Sequence, residues 1–243
     1  MCETCGCGDH ELVPVEIHQR LLEQNDRLAQ HNREHFVEHG VLAVNVMGSP
    51  GSGKTALLEA TARALHGARR VLAVSGDLAT DHDAQRLRVA GIESRAITTG
   101  TACHLDARLV HDALHAMEWW RADVLFVENV GNLVCPAIYD LGQAANVVVL
   151  SVTEGEDKPL KYPVMFRRAD LVVVSKTDLV AHLPQVDLGR LHDALARTMP
   201  RPRVIEVSAL TGQGIPEWLA WLEEQRARLP APAAPHDHPH THG

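Results

Sequence analysis

Short, mostly apolar runs recur at 41–47, 71–75, 124–128, 147–152, 171–175 and 204–207, most of them rich in valine. A run with no polar side fits a strand covered on both faces, as strands of a parallel sheet are. Between the runs the period changes, and 54–66, 107–117 and 215–226 carry apolar residues at helical spacing. This alternation predicts an α/β fold in which a mostly parallel sheet lies between two helical layers. Upstream, Pro14 suits a first helical turn, Ile17, Leu21, Leu28 and Phe36 follow at helical spacing, and Gly40 is a stop. A leading helix over 13–40 therefore enters a domain over 41–229.

The two ends follow neither period. Residues 1–12 begin MCETCGCGDH and read as a flexible tail, while 230–243, PAPAAPHDHPHTHG, offer nothing to bury and read as disordered. At 243 residues and 45 % hydrophobic, the chain suits one domain of about 200 residues with extensions. A formal charge of −8 has the wrong sign for a surface that neutralises nucleic-acid phosphates. No apolar run approaches the roughly 20 residues that span a bilayer, and cysteines stand where a leader peptide has a basic and then an apolar stretch. The expectation is a cytoplasmic protein without membrane insertion, whose five cysteines are reduced and serve as ligands.

The densest chemistry follows the first apolar run. Gly48, Ser49, Pro50, Gly51, Ser52, Gly53, Lys54 and Thr55 spell G-x-x-x-x-G-K-[ST] between an expected strand and helix. Glycines let backbone N–H groups turn toward phosphates, the helix start at Lys54, Thr55 and Ala56 adds a positive dipole, Lys54 reaches the β and γ oxygens, and Thr55 offers a hydroxyl to Mg²⁺. A further carboxylate for Mg²⁺ or for positioning water is expected at a strand end, where Asp77 and Glu128 are the candidates.

The 171–175 run ends in Ser175-Lys176-Thr177-Asp178, close to an N-K-x-D base-recognition sequence. Asp178 can accept hydrogen bonds from both N1–H and the exocyclic amine of guanine, and adenine offers neither, so the site selects guanine. Lys176 lays its stem across the base. Ser175 replaces the usual Asn, which removes an amide that braces the loop and predicts weaker binding with guanine preference kept. Ser208 and Ala209, after the last apolar run, resemble the element whose backbone N–H meets guanine O6.

Two sets of soft ligands stand out. Cys2, Cys5 and Cys7 form C-x-x-C-x-C, close enough to converge on one ion with the terminal amine or His10 as a fourth ligand. Soft sulfur with one nitrogen in a planar arrangement suits Ni²⁺; spacing leaves tetrahedral Zn²⁺ and an iron–sulfur fragment open, and three unliganded thiols are the bland alternative. Cys103, His104 and Cys135 are the second set, with buried structural thiols as the alternative. Cys135 lies seven residues after Glu128. His236, His238, His240 and His242 alternate near the end, for weak metal buffering or simple solvation.

Taken together, M-C-x-x-C-G-C-G, GSPGSGKTALLE, TACHLDA, FVENVGNLVCPA, SVTEGEDKPLKYP and S-K-T-D-L closely resemble the HypB family, the GTPases of hydrogenase nickel incorporation. The resemblance spans nearly the whole chain. It implies a P-loop GTPase that forms a homodimer with GTP, hydrolyses GTP slowly, and uses GTP, Mg²⁺ and Ni²⁺, with Zn²⁺ as the alternative metal at the second cluster. It further implies nickel on Cys2, Cys5 and Cys7, nickel or zinc on Cys103, His104 and Cys135, and switch positions at Asp77 and Glu128, with Asp77 favoured for Mg²⁺. Implied partners are a hydrogenase large-subunit precursor and companion nickel-maturation proteins. The urease-maturation GTPase is the neighbouring alternative, but Cys135-Pro136 is followed by Ala137 where that group has histidine. A non-enzymatic nickel buffer is opposed by the intact Lys54, Thr55 and Asp178.

Overall fold

The computed structural model describes residues 15–77, 81–100 and 102–230. Cys2, Cys5, Cys7, His10 and the histidines beyond 230 lie outside them. Seven strands form one all-parallel sheet: β1 Leu42–Met47, β2 Val71–Asp77, β3 Glu93–Thr98, β4 Val124–Glu128, β5 Ala145–Ser151, β6 Leu171–Ser175 and β7 Val204–Val207. Their order is β3-β2-β4-β1-β5-β6-β7. The helices are α1 Val15–Glu38, α2 Lys54–Leu65, α3 His82–Val89, α4 Ala107–Leu114, α5 Lys158–Lys161, α6 Pro163–Arg167, α7 Leu188–Thr198 and α8 Ile215–Ala227.

The strands are apolar on both sides because the sheet has a core on each face. In β1, Leu42, Val44 and Val46 join Leu57 and Leu58 of α2 and Trp218 and Trp221 of α8, whereas Ala43 joins Phe36 of α1 and Val110 and Leu114 of α4. Successive strand side chains point to opposite faces, so both sets must be apolar. The buried Trp218 satisfies its indole donor within the first core, where Nε1 donates to Thr61 Oγ1 at 2.8 Å.

Strand β3 differs from the expected set. Its sequence, ESRAIT, alternates between exposed and buried positions because it is the sheet edge, with Glu93 and Arg95 turned to solvent. Such charges discourage pairing with another chain. The helix expected over 107–117 ends at Leu114, and the strand expected over 147–152 begins at Ala145.

Parallel connection brings every strand's carboxyl end to one rim. Beside the central β1, the chain leaves toward β2 and later returns to β5 on the other side. This change of direction opens a crevice at the rim, the usual ligand position in such sheets. Among the described residues, no helix is long and apolar enough to cross a membrane.

Candidate functional site

The loop from Gly48 to Gly53 wraps the amino end of α2. It is tightly enclosed: a Cβ at Gly48 would come within 2.3 Å of the Val149 carbonyl oxygen. A Cβ at Gly131 would meet Pro50 at 2.8 Å, so glycine is what lets the segment after β4 lie against this loop. Lys54 Nζ donates to the carbonyls of Gly48 at 3.2 Å and Ser49 at 3.1 Å. Burial pulls its pKa below the ordinary lysine value, and Glu128, Asp83, Glu154 and Asp77 oppose that shift. The buried Ser52 hydroxyl has no hydrogen-bond partner among the described residues.

Thr55 is the meeting point of two carboxylates. Its hydroxyl lies 2.6 Å from Glu128 Oε1 and 2.9 Å from Asp83 Oδ1. One hydroxyl hydrogen cannot serve both acceptors. Burial, reinforced by Asp83, pushes the Glu128 carboxyl up to about 7, and the hydrogen bond it accepts from Thr55 opposes that rise. A hydroxyl and carboxylates held this closely form an all-oxygen donor set of the kind hard dications take. Asp77 and Ala56 line the same cleft, of about 520 Å³, together with Pro50, Gly131 and Lys176. The contact of Asp83 with Thr55 was not visible in the sequence, because Asp83 lies in the first turn of α3 with no motif around it.

At the other end of the loop, Lys176 sits in the left-handed region at φ 60° and its Nζ donates to the Gly51 carbonyl at 2.7 Å. Asp178 Oδ1 accepts from Ser208 Oγ at 2.6 Å, which joins the two segments assigned to the base, and the Ala209 carbonyl accepts from Arg63. The expectation that Ser175 leaves the loop unbraced is corrected here. Ser175 Oγ donates to the Ser52 carbonyl at 2.5 Å, because the end of β6 runs close enough to the phosphate loop for a short hydroxyl to reach.

Cys103, His104 and Cys135 converge, with one ligand atom from each lying within 4.8 Å of the others. The two sulfurs are 3.1 Å apart, too far for a disulfide bond. His104, only 2 % exposed, stacks on Tyr139 with centroids 3.9 Å apart. Burial lowers its pKa against the opposing pull of Asp106, which favours the neutral, metal-binding imidazole. Two thiols and an imidazole suit Ni²⁺ or Zn²⁺ and leave further coordination positions to another ligand.

The nucleotide cleft and this cluster share one strip of chain. Glu128 touches Thr55; next to it, Asn129 Oδ1 accepts from the Leu105 backbone N–H at 3.1 Å. Asn132 pairs with Gly48 in an antiparallel bridge, donates through Nδ2 to the Cys103 carbonyl at 3.3 Å, and accepts from the Val134 N–H at 2.8 Å. Three residues on, the strip delivers Cys135. Asn129 and Asn132 are functional candidates that the sequence did not single out, since asparagine in a Gly-containing loop ordinarily signals only a turn.

Residues 42–206 match the nucleotide-binding domain described as CobW/HypB/UreG. The hydrogenase maturation factor HypB of Azotobacter chroococcum mcd 1 is 50 % identical over 218 residues, 89 % of this chain and 71 % of that protein. Among solved structures, HypB from Archaeoglobus fulgidus superposes with a TM-score of 0.78 at 40 % identity, covering 84 % of this chain and all of that one. HypB from Helicobacter pylori, solved in complex with nickel, gives 0.80 at 37 % identity over 87 % of this chain and 99 % of that one. Similarity of this extent shows that the chain belongs to the HypB hydrogenase maturation factors of the CobW/HypB/UreG family.

Proposed function

We propose that this protein binds Ni²⁺ and uses GTP binding and hydrolysis to control its delivery during [NiFe]-hydrogenase maturation, working in the cytoplasm as a GTP-dependent homodimer. Its partners are the hydrogenase large-subunit precursor and companion nickel-maturation proteins, and Ni²⁺ is its cargo. Cys2, Cys5 and Cys7 hold one nickel ion, and Cys103, His104 and Cys135 hold nickel or zinc.

In this reading residues 48–56 cradle the phosphates and Lys54 neutralises the β and γ oxygens. Asp178 selects guanine, with Lys176 along the base and Ser208 and Ala209 beneath it. Thr55, Glu128 and Asp83, with Asp77 beside them, hold Mg²⁺, which supplies charge neutralisation at the phosphates when bound. Asp77 and Glu128 are the groups placed to orient water.

The observation that carries the proposal is the Glu128–Cys135 strip. Its first residue touches the phosphate-loop hydroxyl, Asn132 holds the backbone of Cys103, and its last residue belongs to the Cys103, His104, Cys135 cluster. Loss of the γ-phosphate removes contacts that order such a segment, and moving Cys135 relative to Cys103 and His104 changes metal affinity. Linkage then makes metal change nucleotide affinity by the same factor.

The test is a Ni²⁺ titration of the Cys2, Cys5, Cys7 triple-Ala protein loaded with GDP or with a non-hydrolysable GTP analogue, at several protein concentrations to separate dimerisation. Affinities differing at least fivefold are expected, the lower end of a coupling of about 1–3 kcal/mol. Equal affinities remove the switch. In competition, GTP is expected to bind more than tenfold tighter than ATP, and equal binding would sink the guanine assignment.

A further inference from the structure

Four histidines that no motif accounts for meet on the surface where α1 packs against α4. His31 and His35 are one turn apart on α1, and their Nε2 atoms are 3.1 Å from each other. His111 and His115 repeat this spacing on and just after α4, with Nε2 atoms 2.9 Å apart. The pairs adjoin: the rings of His31 and His111 have centroids 5.5 Å apart. Imidazole nitrogens sit about 2.0–2.1 Å from a late first-row cation, so two of them on one ion are about 2.9 Å apart at a right angle and about 3.4 Å apart at a tetrahedral one. Both observed separations fall in that interval.

The support around the rings has the form of an outer ligand shell. Asn32 is 2 % exposed, and its Nδ2 donates to the carbonyls of Ala107 at 3.0 Å and Leu141 at 3.2 Å. Those two acceptors leave its Oδ1 facing His111 Nδ1 at 3.1 Å. His111 must therefore carry its hydrogen on Nδ1, which leaves the Nε2 lone pair directed at the cluster. On His35 the Glu38 carboxylate lies 3.8 Å from Nδ1, again on the side away from Nε2. Each pair is held by an Nε2···Nε2 hydrogen bond, and no three of the four rings bring ligand nitrogens within 4.8 Å of one another, so closing on one ion requires the exposed His31 and His115 to turn.

We infer that His31, His35, His111 and His115 form a third metal site, an all-imidazole site for a late first-row divalent cation that bridges α1 and α4. A nitrogen-only set suits Ni²⁺, Cu²⁺ or Zn²⁺. The cation ties the leading helix to the helix that begins three residues after His104. Nothing in this depends on the coupling of nucleotide and metal, and the site stands if that coupling fails.

The experiment uses the full chain with Cys2, Cys5 and Cys7 changed to Ala, Cys103 and Cys135 to Ser, and His236, His238, His240 and His242 to Ala, dialysed against NiCl₂. The expected result is one Ni²⁺ per chain, with quenching of Trp119, whose ring lies 6.2 Å from that of His35, and a rise in Tm. His31→Gln and His115→Gln lie on different helices, and each is expected to weaken binding at least tenfold while leaving the metal-free Tm unchanged. Trp119→Phe is expected to remove most of the quenching without changing the stoichiometry. Absence of binding overturns the inference. So does binding that survives both substitutions, or two ions per chain each lost with only one helix's pair, because neither describes a bridging site.

Discussion

At the phosphate end of the sheet rim, eight consecutive residues, 48–55, supply the loop, the ammonium and the hydroxyl. At the metal end, two thiols 32 positions apart must be brought to 3.1 Å by the docking of two loops. The first arrangement is local, and its conformation follows from glycines and a helix start. In the second, Asn129 and Asn132 hold the Cys103–Leu105 backbone to the segment after β4. A site built from neighbours in the chain tolerates movement around it, whereas a site built across loops registers that movement as a change in affinity. That difference suits one end to act as the lever and the other as the responder.

Lys54→Ala should separate the two ends most sharply. GTP turnover is expected to fall by about 10²–10³, in line with loss of one preorganised group at a developing charge. Ni²⁺ affinity at Cys103, His104 and Cys135 in the nucleotide-free protein should stay within twofold. Phosphate release and metal competition measure the pair, and a large loss of metal affinity would show that the ends are not separable in this way.

The next effect concerns the buried carboxyl. With a folded pKa of about 7 against an ordinary 4.5, Glu128 binds its proton more tightly in the folded state. Its contribution to stability is greatest below pH 4.5, declines as pH rises, and is lost above pH 7, a change of roughly 3 kcal/mol. Without nucleotide or Mg²⁺, Glu128→Gln should therefore raise stability at pH 8 relative to the parent and leave it nearly unchanged at pH 4.5. Denaturant melts at the two pH values check this, and equal offsets at both would place the proton elsewhere.

A smaller effect is expected at the hinge between the ends. Asn132→Ala removes the bonds to the Cys103 carbonyl and the Val134 N–H, and should at least halve the difference in metal affinity between GDP and GTP-analogue states. If that difference is unchanged, the coupling runs through Asn129 or through backbone alone. Smallest is Ser175→Ala, expected to weaken GTP by about three- to tenfold through loss of one hydrogen bond worth about 1 kcal/mol. Metal affinity should not move. Ser175→Asn, by contrast, is expected to leave GTP affinity within about threefold, because the hydroxyl already makes the brace; a gain beyond tenfold would restore the first reading of that position.

The sequence by itself determined the elements whose cause is local or periodic. The valine-rich strands are legible because both faces of the sheet are covered, and the phosphate loop because eight adjacent residues carry its backbone requirements. Edge strand β3 was not legible, since one wet side leaves a short polar alternation that resembles a loop. Tertiary structure alone decided that Asp83, from the start of α3, reaches Thr55, and that a serine at the end of β6 braces a loop 123 positions away. It also decided that two asparagines join the nucleotide rim to the thiols and that four histidines from two helices share a surface. Such groupings depend on which strand ends and helix faces become neighbours, and that is set by the packing of the whole sheet and not by spacing along the chain.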